Sequence, residues 1–171
     1  MARTGTIARA YRHMRHGAHS ARRAFPDAAL ERIEAAIERS EREHHAELRV
    51  AIEASLPLRD VFRGRTPRDR ALEVFAQTGV WDTEANNGVL LYVLLADHAV
   101  EIVADRAAAA KIHEGYWREI CDALGDAYRA GRFEQGTLAA IERIDRLLAA
   151  AFPLAPGAQD VDELPNRPLV L

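Results

Sequence analysis

The sequence is poor in cysteine and lysine: among 171 residues it holds one of each, Cys121 and Lys111. A single thiol excludes an intramolecular disulfide and any cysteine-rich metal centre, and a reducing cytoplasm is the simplest compartment for it. No stretch of about 18 apolar residues occurs, so no helix is expected to span a bilayer. The longest apolar run, residues 89–96, has the length of a strand. The opening Met-Ala-Arg-Thr-Gly lacks the apolar segment of a secretory signal. A Gly-rich phosphate loop, a G-x-S-x-G elbow and an H-E-x-x-H pair are also missing. Cys121 falls on the apolar side of a helical pattern and reads as core, not as a nucleophile.

What is present is ordinary globular material for one domain, 49% apolar and 29% charged. The net charge of −3 is unevenly placed. Residues 1–23 carry Arg3, Arg9, Arg12, Arg15, Arg22 and Arg23 with no acid, which makes this arm +6 and leaves −9 on the other 148 residues. Basic arms lie on nucleic acid or on anionic lipid. The acidic body argues against nucleic acid, because a basic footprint should extend onto the fold. The expected partners are therefore an anionic membrane surface, met through residues 1–23, and a protein partner the sequence does not identify. The arm, residues 1–26, reads as a loosely docked terminal segment. His13, His16 and His19 within it are spaced to share a helical face, as a metal or pH-sensitive contact would require.

The folded part begins at Pro26-Asp27. Residues 28–44 read as a helix, with Leu30, Ile33, Ala36 and Ile37 on one face and Asp27 as cap. Residues 47–53 alternate, Leu48, Val50 and Ile52 against Glu47, Arg49 and Glu53, which predicts a strand with one buried and one polar face. Residues 55–65 read as a loop. Thr66-Pro67-Arg68-Asp69 is a capping box with proline at the first helical position, opening a helix that runs to Gln77 with Ala71, Leu72, Val74 and Phe75 inward, and Gly79 ends it. After the polar loop 81–88, the run 89–95 predicts a central strand. Asp97-His98 turns the chain into an antiparallel strand over 99–104. Helices follow over 114–130 and 135–152, the first burying Trp117, Tyr116, Ile120, Cys121, Leu124 and Tyr128. Residues 154–171 form a proline-containing extended tail, a packed strap or a partner-binding peptide. The strand–helix–strand unit over 47–95 joins parallel strands. The fold class is thus an α/β sandwich of three layers: a small mixed sheet with a parallel strand–helix–strand crossover and an antiparallel hairpin, helices on both faces.

This topology brings residues from three strand ends to one rim. The hairpin sets Asp105 and Arg106 beside Asn86, Asn87 and Gly88, and the crossover adds Glu47. Glu47, Asp82, Asn87 and Asp105 are the expected metal ligands there, because carboxylate and amide oxygens are hard donors suited to Ca²⁺ or Mg²⁺. The bland alternative is that the loop residues only cap and turn the chain. His44-His45 reads as a pair at a helix end.

These residues also resemble a known family. The pattern is His45-Ala46-Glu47-Leu48-Arg49, the Arg70–Phe75 helix, Trp81-Asp82-Thr83 with Asn86-Asn87-Gly88-Val89-Leu90-Leu91, then Glu101–Asp105, Trp117, Gly131-Arg132-Phe133 and Phe152-Pro153. It resembles the TPM domain family over residues 27–153, and the tail Asp162-Glu163-Leu164-Pro165 is similar to that of its short soluble bacterial members. The resemblance implies an α/β sandwich and an accessory or interaction domain, non-enzymatic, binding a divalent cation and linked to membrane-protein maintenance. The alternative it carries is a low-activity metal-dependent acid phosphatase. Read together, the chain is expected in the cytoplasm, peripheral at the inner membrane surface.

Overall fold

The computed structural model describes residues 2–154 and 163–171; within them the side chains of residues 2–4 and 18 are not described. The apolar run after the polar loop becomes β2 (Val89–Leu94), buried along its whole length. It can be so because it has a strand on each side. β1 (Leu48–Glu53) runs parallel to it, Leu48 beside Val89 and Glu53 beside Leu94. β3 (Ala99–Ala104) returns antiparallel, Val89 beside Ala104. A late strand, β4 (Leu169–Val170), adds parallel to the far side of β1, giving the order β3-β2-β1-β4. The turn between β2 and β3 places His98 in the left-handed region, φ 49°.

Helices cover both faces, as expected for the sandwich. On one face α3 (Asp27–Ser40), α7 (Glu114–Arg129) and α8 (Phe133–Ala151) pack their apolar stripes on Leu48, Val50, Ile52, Leu91 and Val93. On the other, α1 (Ala2–Arg15), α4 (Leu58–Phe62) and α5 (Pro67–Gln77) lie over Ala51, Leu90, Tyr92 and Leu94. α2 (Ala18–Ala24) leads from α1 into the first core, where Ala21 and Phe25 are buried. The short α6 (Arg106–Lys111) follows β3. The capping box forms as read: Thr66 Oγ1 accepts the Asp69 N–H while the Asp69 carboxylate accepts the Thr66 N–H.

Five local readings are corrected. Residues 55–65 hold a helical turn, α4, because Pro57 sets its start and Val61 has a core to enter. Leu72 and Tyr116 are exposed: Ala71 and Val74 form the inward line of α5, and Trp117 fills the site beside Tyr116. The polar face of β1 is not solvated; all six of its residues are buried, because α5 and the residues around β4 cover them. The N-terminal arm is helical and docked, with Ala10, His13, Ala21 and Phe25 buried. Residues 155–162, and with them Asp162, lie outside the described residues.

Candidate functional site

The rim begins with the loop after α5. Thr83 winds it: its carbonyl accepts the Asn86 N–H and its Oγ1 accepts the Asn87 N–H at 3.1 Å. Asn86 takes φ 52°, which asparagine tolerates better than most residues. Gly88 has no alternative, since a Cβ there would sit 2.1 Å from the Val80 carbonyl oxygen. Beyond Gly88 the sheet ladder closes on both sides: the Val89 N–H donates to Glu47 O and the Asp105 N–H donates to Gly88 O, each at 2.8 Å. Glu47 and Asp105 therefore flank Gly88.

The side chains there are buried and mostly committed. Glu47 receives the N–H groups of Glu163 and Leu164, one on each oxygen, at 3.2 Å. Asp105 caps α6, Oδ1 accepting the Arg106 N–H at 2.7 Å. Its Oδ2 is buried with no hydrogen-bond donor. Asn87 Nδ2 donates to His45 O at 2.7 Å, which fixes the amide's orientation and leaves Oδ1 buried, also with no donor. The structure thus brings Glu47, Asn87 and Asp105 to adjoining strand ends. Asp82 stays exposed at the head of the loop. Among the described residues no group of three or more His, Cys, Asp or Glu is arranged to hold a metal ion; the rim oxygens that lack a donor are Asn87 Oδ1 and Asp105 Oδ2. Those are hard donors of the kind Ca²⁺ and Mg²⁺ take. Arg106 Nη2 donates to Asn86 Oδ1 at the outer edge.

Two clusters escaped the sequence. The first is the set of contacts that holds residues 163–171 down as a strap, one of the two readings of the tail. Arg49 donates to the carbonyls of Pro165 and Arg167, and burial lowers its guanidinium. The Glu163 carboxylate accepts the Glu84 N–H at 3.0 Å, tying the strap to the rim loop. Beside it Glu53 Oε2 accepts from Arg70 Nε at 2.8 Å and from the Tyr92 hydroxyl at 2.7 Å. Burial and the Glu53 carboxylate push the Tyr92 phenol far up. The second cluster gathers on Asp97. Arg9 donates Nε and Nη2 to it at 2.9 and 2.7 Å, and His13 Nε2 lies 3.2 Å from Oδ1. Against burial, which would raise it, Arg9 holds the Asp97 carboxyl below its ordinary range. Burial lowers His13 more than Asp97 raises it. Neither cluster has a local signal, since Arg9 and Asp97 stand 88 residues apart and Arg49 and Arg167 stand 118.

The histidine readings also resolve. α1 ends at Arg15 and α2 begins after Gly17, so His13 faces the body while His19 is exposed. His44 is buried between Ser40 Oγ, 3.1 Å away, and Asp145 Oδ1, 3.3 Å away, tying α3 to α8. The Cys121 thiol is pushed up to about 11, first by burial and then by Glu101, and packs at the edge of the core.

A mixed four-stranded sheet between two helical layers, with an Asn-Asn-Gly loop at its crossover rim, defines a small α/β sandwich domain. The chain belongs to the TPM domain family, whose model matches residues 21–147. It is similar to the BA42 protein of the psychrophilic bacterium Bizionia argentinensis, solved by NMR: 28% identity, 85% of this chain and 94% of that one covered, TM-score 0.74. The N-terminal domain of a protein from P. gingivalis, also solved by NMR, shares the fold at 22% identity and TM-score 0.58, covering 75% of this chain and 78% of that one. No curated protein matches the chain. No helix among the described residues is long and apolar enough to cross a membrane.

Proposed function

We propose that the chain is a non-enzymatic accessory or interaction domain of the TPM type that holds a divalent cation, Ca²⁺ or Mg²⁺, at its crossover rim. The observation that carries this reading is the pair of buried acceptors without donors, Asn87 Oδ1 and Asp105 Oδ2. Burying such oxygens unpaired costs about 1–3 kcal/mol each, more for a charge, and a cation would remove that cost. Asp105 Oδ2 would be the anionic ligand and Asn87 Oδ1 the neutral one, with Asp82 reaching in from the loop. Glu47 supports the rim through the strap and not as a free ligand, because both its oxygens receive backbone N–H groups. A bound cation would brace the loop–strap junction, the surface a protein partner linked to membrane-protein maintenance would meet.

Thermal melting with Ca²⁺ or Mg²⁺ tests the reading. A cation at 100 times its Kd should stabilise by about 2.7 kcal/mol. Asp105→Asn should abolish the gain. If neither ion moves the Tm the reading fails, whatever Asp105→Asn does to stability. The phosphatase alternative has one supporting feature: Arg106, 82% exposed at its side chain beside Asp105, could face a phosphate. Cation-dependent hydrolysis of p-nitrophenyl phosphate, lost in Arg106→Ala with the Tm gain kept, would decide for it.

A further inference from the structure

We propose that the outward faces of α1 and α4 form a docking surface for an anionic lipid bilayer. The inward side of α1 is occupied by Ala10, His13 and the Arg9–Asp97 pair. On its other side Ile7, Tyr11 and Met14 follow one another at i, i+4 and i+7, a single stripe on a helix, and they are 65%, 56% and 61% exposed. α4 packs against α1 and leaves Leu58 and Phe62, again four apart, 37% and 61% exposed. These two helices thus carry five of the ten large apolar side chains that are exposed among the described residues. Scattered exposed hydrophobics need no explanation, but a concentration of this kind marks a contact surface.

Charge selects the occupant. Counting the arm as +6 overstates what is available, since Arg9 and Arg12 are drawn to Asp97. The exposed arginines outside such a pair are Arg15, Arg22 and Arg23 on the arm and Arg63 just after α4. Arg15 lies over the Tyr11 ring, 5.8 Å from its centroid. No acid occurs before Asp27. Asp60, on α4, faces Arg59 and Arg65, and Asp97 is covered by Arg9 and His13. An apolar stripe with an arginine over its central tyrosine, on an arm that carries further exposed arginines and no acid, is the pattern that settles into the headgroup–acyl boundary. A nucleic acid would use the arginines and leave the stripe in water. The surface is made of side chains projecting from two helices, which a soft bilayer accepts without a matching groove. This inference is independent of the cation reading.

Sedimentation of the full chain with vesicles tests it. Vesicles of phosphatidylglycerol and phosphatidylcholine in equal parts are compared with phosphatidylcholine alone, in EDTA so that no rim cation contributes. The chain should bind the anionic vesicles at least about tenfold better than the neutral ones, given the contribution of each surface arginine. Both the Ile7→Ser/Tyr11→Ser/Met14→Ser variant and the Arg15→Glu/Arg22→Glu/Arg23→Glu variant should lose that binding with the Tm unchanged. Absent binding at low salt, equal binding to neutral vesicles, or full binding by the apolar triple variant overturns the proposal. So does a partner protein retained on this face by a chain that ignores vesicles. Should the triple variant fail to fold, Tyr11→Trp decides: its emission must shift to the blue and be quenched by brominated lipid, and an unshifted spectrum at saturating vesicles overturns the proposal.

Discussion

At Gly88 the rim is set by a missing atom. The dipeptide Asn87-Gly88 reads as turn chemistry in the sequence, but the requirement for glycine comes from a carbonyl eight residues earlier, Val80 O, 2.1 Å from where a Cβ would lie. Gly88→Ala should cost at least about 1–3 kcal/mol, the usual penalty for overpacking a rigid site, and chemical denaturation measures it. A second single-atom change probes the neighbouring network. Tyr92→Phe removes one donor from Glu53 but leaves Arg70 on it, so a loss of about 0.5–1.5 kcal/mol is expected. Asn87 and Asp105 were legible as rim residues because hairpin register follows from alternation alone. What alternation could not say is which of their oxygens lacks a donor, since that depends on His45 O and the Arg106 N–H.

Two elements owe their placement to distant charges. β1 alternates in sequence as a half-solvated strand would, and its sheet position was readable on that basis. Its polar face is nevertheless buried, because Glu47 and Arg49 find backbone partners about 116 residues downstream and Glu53 finds Arg70. No local pattern reports such a partner. Glu47→Gln can accept only one of the two strap N–H groups and turns an NH₂ toward the other, a loss of about 1–3 kcal/mol, with earlier proteolysis within residues 163–171 as its local sign. α1 is the second case; its docking rests on His13, which accepts the Leu56 N–H on Nδ1 at 2.9 Å and faces Asp97 with Nε2. Only the neutral ring can do both. With a folded pKa below the ordinary 6.5, the unfolded chain takes up the proton first, so this contribution is complete above pH 6.5 and is lost as pH falls through the folded value. Asp97, lowered from 3.8, acts only in a more acidic window. The Tm should therefore fall between pH 7 and 5 more steeply in the native chain than in His13→Gln. Equal slopes would remove His13 from the account.

At the scale of the whole molecule, the three-layer plan was readable because periodicity places elements and the parallel crossover orders them. What holds the two outer segments was not, for their binding residues look like surface charge in isolation. The strap has a further consequence during assembly of the fold. The segment that covers one side of β1 lies more than a hundred residues beyond it, and such distant pairings close late because the loop they shut is long. Until then β1 is an open edge, able to pair with a second copy. Glu47, Arg49 and Glu53 stand along that edge, and charge on an open strand is what discourages such pairing. The residues that end up clasping the strap would thus first act as gatekeepers. Replacing Glu47 and Arg49 together by valine should lower the refolding yield as protein concentration rises, with aggregates that bind thioflavin; a yield independent of concentration would show that the charges have no such earlier duty.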